Sequence, residues 1–195
     1  MHPLLDRLNR DHRNLARLLT LLDRTLDRFH QGKEPDYELL CELLDYMDGY
    51  ADQIHHPTED LIFRRFMETT GESPEVLGIL MHQHQEVVQL NRRFRNSLDG
   101  VVHGDVLTRQ EVEVQGRDLV RTLWNHMTIE DTQAFPLVQE RLSTADWDEL
   151  ARVAPSAADP VFGAPDPARF RALFERLAAD AGVEARERVQ IPLKP

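Results

Sequence analysis

The 195-residue chain reads as an all-α protein: an antiparallel (up-down-up-down) four-helix bundle with a short helical C-terminal extension. Two observations point there. Apolar residues recur in alternating three- and four-residue steps through four long segments, and clusters of glycine, proline and capping residues separate those segments. A third observation marks the end of the bundle. From residue 143 onward the regular seams stop and proline, alanine and aspartate become frequent. The expected division is 1–142 for the bundle and 143–195 for an extension packed on it.

The first helix carries Leu5, Leu8, His12, Leu15, Leu19, Leu22, Leu26 and Phe29 on one seam. Pro3 suits its first turn, and the run from Gln31 to Asp36 ends it. The second helix is expected from about Asp36 to Glu68, with Met47, Ala51, His55, Glu59, Ile62 and Phe66 on one face. Pro57 should kink it, because proline lacks a backbone donor and crowds the preceding turn. A turn at Thr69–Pro74 follows, with Ser73 as cap and Pro74 at the first helical position.

The third helix, to about Leu98, places Leu77, Leu80, His84, Val87, Asn91 and Phe94 on one stripe, and residues 99–105 read as a loop. Thr108 and Glu111 have capping-box spacing and open the fourth helix. Its seam runs Val112, Gly116, Leu119, Leu123, His126, Glu130, Ala134 and Leu137, with Pro136 near the end. In the extension, residues 143–153 suit a short helix capped by Ser143 or Thr144. Asp166-Pro167 suits the start of a last helix to about Ala181, and the tail from Gly182 shows no periodicity.

Composition narrows the function classes. The chain is 41% hydrophobic and 29% charged, an ordinary balance for a soluble globular protein. Its net charge of −11 repels nucleic acid and anionic membrane surfaces, so neither is expected as a partner. One cysteine, Cys41, excludes an internal disulfide and agrees with a reducing compartment. Charge interrupts the N-terminus at once, no apolar run could span a bilayer, and the expected location is the cytoplasm.

Polar residues interrupt all four seams, and they do so as a repeat. His12 precedes His55 by 43 positions and His84 precedes His126 by 42. Both later histidines open the same motif, His55-His-Pro-Thr-Glu59-Asp60 and His126-Met-Thr-Ile-Glu130-Asp131. Helical residues four apart share a face, with Cβ atoms roughly 6 Å apart, so each pair can reach toward one point. His12 lies about nine residues into its helix and Glu59 about nine from the end of the next. His84 and Glu130 lie about ten and eleven residues from the corresponding ends, so all four fall at similar height.

Buried carboxylates without partners would cost several kcal/mol or would protonate; a cation removes that problem. The candidate metal ligands are therefore His12, His55, Glu59, His84, His126 and Glu130. Six nitrogen and oxygen ligands exceed one tetrahedral zinc site. They suit two carboxylate-bridged irons with positions open to a small molecule, while manganese or a mixed pair also fits. The Glu-x-x-His motif of ferritin-like di-iron sites is absent from the set.

These residues resemble the hemerythrin-like, or HHE cation-binding, domains, in the Asp-His12, His55-His-Pro-Thr-Glu59-Asp, Gln-His84 and His126-x-x-x-Glu130-Asp motifs, the last followed by Phe135-Pro. The resemblance covers roughly residues 1 to 142. It implies two non-heme iron ions with an oxo or hydroxo bridge and chemistry with O2, NO or peroxide, in oxygen carriage, sensing, or stress defence. The oxygen carriers of that family have a His-x-x-x-His pair on the third helix, but Leu80 stands four before His84 here. Their final carboxylate is an aspartate five residues after the last histidine, where this chain has Asp131; Glu130 matches its own repeat better. One fewer histidine leaves an extra open position on one iron, which favours redox reactivity or sensing over oxygen storage.

Two further readings come from other classes. One is a metal- or redox-sensing module acting on a protein partner through the C-terminal helices; the other is a di-iron peroxidase or oxidase. Around the central set, His56 suits the solvent side better than a pairing with Asp60, and His82 with Glu86 forms a rival pair off the apolar stripe. Asp60 and Asp131 suit either of two roles, accepting a ligand ring proton or standing as exposed acids. Tyr50, Asn91 and Trp124 are pocket or core residues, and His2, His30 and His103 have no assigned role.

Overall fold

The computed structural model describes residues 2–102 and 108–189, with side chains for 2–100 and 108–180, and every regular element among them is helical. In order these are α1 (Pro3–His30), α2 (Tyr37–Tyr46), the π-helical segment π1 (Met47–His55), α3 (His56–Thr70), α4 (Glu75–Val102), α5 (Arg109–Ile129), π2 (Glu130–Ala134), α6 (Phe135–Arg141), α7 (Thr144–Val153) and α8 (Arg171–Val189). The chain stays helical through α2, π1 and α3, and again through α5, π2 and α6. Among the described residues no helix is long and apolar enough to cross a membrane.

Local chemistry accounts for the boundaries. His2 Nδ1 accepts from the Leu4 N–H (3.2 Å) ahead of Pro3, and Asp36 accepts from the Leu39 N–H (3.0 Å) at the start of α2. Gly32 (φ 82°) and Gly71 (φ 71°) take the left-handed conformation that lets the chain turn out of α1 and α3. Thr108 with Glu111 and Ser143 with Asp146 form complete capping boxes at α5 and α7.

Four expected details change. At Pro57, where a kink was expected, the chain widens just upstream: the His56 N–H bonds Ala51 O, five residues back, at the end of π1. The Phe135 N–H likewise bonds Glu130 O just before Pro136. In both places a proline that cannot donate is preceded by a widened turn. Ser73 gives its hydroxyl to Met67 Sδ (3.7 Å), and α4 begins at Glu75. Of the loop expected at 99–105, residues 99–102 are helical, and the rest, His103 included, lies outside the described residues. The last helix starts at Arg171, after turns held by Asp166, and continues past Gly182 to Val189.

The core divides into two apolar clusters. One gathers Leu15 to Phe29 of α1 with Leu43, Tyr46, Val87, Phe94, Leu119 and Leu123. The other gathers Leu4, Leu5 and Leu8 with Ile62, Phe66, Leu77, Leu80, Ala134 and Val138. Along α1 and α4 the chain leaves the second cluster and enters the first, while along α2–α3 and α5–α6 it runs the other way. The polar interruptions of the seams fall where it crosses between them. Close packing at the far end of the first cluster requires glycine: a Cβ on Gly116 would sit 2.8 Å from Leu26 Cδ2 and 3.0 Å from Phe94 Cζ.

The extension contributes to both clusters. Trp147 and Leu150 of α7 join the second, and Val161, Phe170 and Leu173 join the first. Asp159 accepts from the buried Tyr46 hydroxyl (3.0 Å) and from Asn14 (3.3 Å). The buried Glu42 carboxylate accepts the Ala172 (3.1 Å) and Leu173 (2.8 Å) N–H groups, satisfying orphan donors in the first turn of α8.

Candidate metal centre

Between the two clusters the four seams bring His12, His55, Glu59, His84, His126 and Glu130 together, all buried. Their contacts fall into two sets. Glu59 Oε1 lies 3.4 Å from His12 Nε2 and 3.2 Å from His55 Nε2, and Glu130 Oε2 lies 3.3 Å from His12 Nε2. On the other side, Glu59 Oε2 lies 3.5 Å from His84 Nε2, and Glu130 Oε1 lies 3.5 Å from His84 Nε2 and 3.2 Å from His126 Nε2. Each glutamate thus gives one oxygen to each set.

The outer nitrogens are all engaged. His12 Nδ1 donates to Asp131 (2.7 Å) and His84 Nδ1 to Asp60 (2.8 Å). The aspartate following each glutamate therefore holds a ligand ring, one of the two roles the sequence left open, and the ring belongs to the other half, which the sequence did not indicate. His55 Nδ1 lies 3.4 Å from Asp11 Oδ2, which also accepts from the Tyr50 hydroxyl (3.3 Å). His126 Nδ1 donates to Gln83 Oε1 (3.1 Å). Tying Nδ1 fixes each ring and turns the Nε2 lone pair toward the centre.

The inner atoms have no such partners. His12, His84 and His126 Nε2 and all four oxygens of Glu59 and Glu130 are buried without a hydrogen bond. Polar atoms are rarely left this way unless something else satisfies them. Neighbouring ligand atoms on a cation with bonds of about 2.1 Å sit roughly 3 Å apart, the spacing seen within each set. The donor set fits a metal.

Electrostatics agree. Burial opposes protonation of His12, yet its contacts with Asp131, Glu130 and Glu59 push it up to about 12. Burial also works against charged His84, but Asp60, Glu130 and Glu59 hold it well above its ordinary value. Against the upward push of burial, His55, His12 and His84 hold Glu59 well below the usual carboxylate range. The cage is balanced only with positive charge at its centre, supplied by protons or by a cation that displaces them.

Some neighbours differ from expectation. His56, expected on the solvent side, is 4% exposed; its Nδ1 bonds Asp52 Oδ1 (3.0 Å), not Asp60. Burial pushes it down to about 4, leaving a neutral ring. Tyr50 is buried and supports Asp11, while Asn91 is buried and donates to Leu44 O (3.2 Å). Trp124 is 39% exposed and lines, with His12, Arg13, Met127 and Asp131, a cleft of about 200 Å³ between α1 and α5. The rival pair His82 and Glu86 faces outward. His2 caps α1, and exposed His30 pairs with Glu113.

In the sequence Asp11 and Gln83 entered only as neighbours in the Asp-His12 and Gln-His84 motifs, with no role of their own, and Asp52 did not enter at all. A signal existed for two of them: Asp11 and Gln83 each immediately precede the lone histidine of their half, the same register of the repeat.

Fold and cage define an all-helical protein with buried His/Glu clusters able to hold metal. Its sequence matches the Hemerythrin HHE cation binding domain over residues 4–138, and the chain belongs to that family. No curated protein and no solved structure matches significantly.

Proposed function

We propose that this chain is a di-iron protein that binds or reacts with a small oxidant, O2, NO or peroxide, in sensing or stress defence. Its frame is an antiparallel four-helix bundle of residues 1–142, with residues 143–195 as a packed extension. The observation that carries the reading is the division of the glutamate oxygens: Glu59 and Glu130 each face both histidine sets, as bridging carboxylates do. His12 and His55 would hold one ion, His84 and His126 the other. Bound iron would supply Lewis acidity and reversible redox change.

The chain itself positions and protects. Asp11, Asp60, Gln83 and Asp131 hold the four rings by their outer nitrogens. The apolar clusters on either side keep bulk water from the ligands, and the cleft beside His12, about 200 Å³, has the volume to admit a diatomic molecule or peroxide. Asp131, on the rim of that cleft and bonded to His12, is placed to pass a proton between solvent and the ring.

The test is metal content per chain, with the visible spectrum of air-exposed protein and its response to O2, NO and peroxide. Near two irons and a spectrum that each oxidant perturbs are expected. One zinc per chain, or no metal after iron-supplied expression, overturns the proposal.

A further inference from the structure

The half of the cage built on α1 and α3 holds one imidazole more than the repeat requires. His55 and His56 are neighbours, and adjacent residues on a regular α-helix point about 100° apart. Both nevertheless face the interior. The widened turn of π1 ends at this pair, where the His56 N–H reaches back five residues to Ala51 O. π-Helical insertions of this kind recur at functional sites because they re-aim side chains that a regular helix would separate.

His56 obeys the rule that governs the other four rings. Its Nδ1 is bonded to an acidic side chain, Asp52 (3.0 Å), which leaves Nε2 as its only ligand atom. The ring stacks on His84 (centroids 4.6 Å, interplanar 15°) and lies edge-on to His126 (5.7 Å, 87°). One ligand atom each from His56, Glu59, His84 and His126 all lie within 4.8 Å of one another. His12, His55 and Glu59 form a separate group on the same criterion. The repeat places Met127 where the second half would need the equivalent of His56, and Leu80 stands one turn before His84, buried in the apolar cluster.

We propose that His56 is a ligand of the metal position formed by His84 and His126, supplied across the bundle from the other half. This rests on the di-metal reading above. The two positions are then unequal: three imidazoles serve one and two serve the other, with Glu59 and Glu130 shared. The imidazole-poor position keeps more sites open to an exogenous ligand, and the imidazole-rich one is the tighter.

The experiment is an anaerobic titration with ferrous ion in competition with a chelator, on wild type, His56→Met and His56→Gln. Mössbauer spectra of the loaded proteins and thermal melts of the apoproteins accompany it. Wild type should take up two ions in distinguishable steps with two different iron environments. Both variants should lose affinity at the tighter step by at least about tenfold, roughly the smallest effect of disturbing support around a metal, with one iron environment altered and the other kept. The glutamine variant and the melts separate loss of a ligand from loss of the fold. Wild type that binds two ions, with both steps and both environments unchanged in the variants, overturns the assignment alone. Wild type that binds fewer than two overturns the di-metal reading and the assignment with it.

Discussion

Asp11 holds His55 in the first half of the cage and Gln83 holds His126 in the second, so one register of the repeat carries a charged acceptor in one half and a neutral one in the other. Asp60 and Asp131, by contrast, are the same residue doing the same thing, each crossing to the opposite half. A carboxylate behind an imidazole raises its basicity more than an amide does, and it adds negative charge near the ion. Asp11 is itself buried and is supported by Tyr50 on π1, which continues α2, the helix that α8 and the Asp159 turn help to cover. Among the described residues, Gln83 has no comparable support in the second half. A repeated ligand pattern therefore does not imply two equivalent positions; the residues around the repeat set their difference.

The largest effect should come from the shared carboxylates. Glu59→Ala or Glu130→Ala removes an oxygen from both sets, so either variant should fail to retain the proposed metal pair through gel filtration. A variant that keeps one half at full affinity would show that the glutamate serves one side only.

Next in size are the ring supports. Asp11→Asn should weaken the position holding His55 by about 10- to 100-fold, the usual range for such partners. Gln83→Ala should cost its own position less than Asp11→Asn does. Asp60→Asn and Asp131→Asn should be matched within a few-fold. Competition with a chelator reads all four, and equal losses for Asp11→Asn and Gln83→Ala would remove the asymmetry argued from charge.

Gly116→Ala tests the comparison from outside. A methyl group there meets Leu26 and Phe94 at or inside contact distance, and overpacking of this kind costs about 1–3 kcal/mol. Denaturant unfolding should register that loss while the metal stoichiometry stays unchanged. A shift in one metal position alone would mean that packing, not local support, distinguishes the halves.

The smallest effect concerns acid. The Ser143 hydroxyl and amide, with Arg65, hold Asp146 below the usual carboxylate range. Its contribution is present above its unfolded value of about 4 and fades as pH falls through the lower folded value. Melting temperatures of wild type and Asp146→Asn should therefore differ near neutrality and converge in strong acid. A gap that persists unchanged into acid would contradict this, and would detach α7 from any pH effect on the half it covers.

Much of this could be read in advance from local rules. Seams such as Leu5 to Phe29 follow from the helical period, and the capping boxes at Thr108 and Ser143 follow from residues three apart. The six central residues followed from a spacing repeated twice. His56 did not, because inference from a 3.6-residue period assumes regular winding, and π1 changes the winding at that point. Asp11 did not either: beside a seam histidine an aspartate looks like a solvated acid until Tyr50 and His55 close over it.

The sequence was enough to specify long amphipathic helical segments, many of their boundaries, and a doubled set of imidazoles and carboxylates. Those are properties of periodicity and spacing along one chain. Which acceptor ties which ring, how Glu59 and Glu130 divide their oxygens, and whether His56 faces in or out depend on the rotation and register of one helix against another. Contacts between residues distant in sequence, such as His12 with Asp131, set these, and no local pattern encodes them.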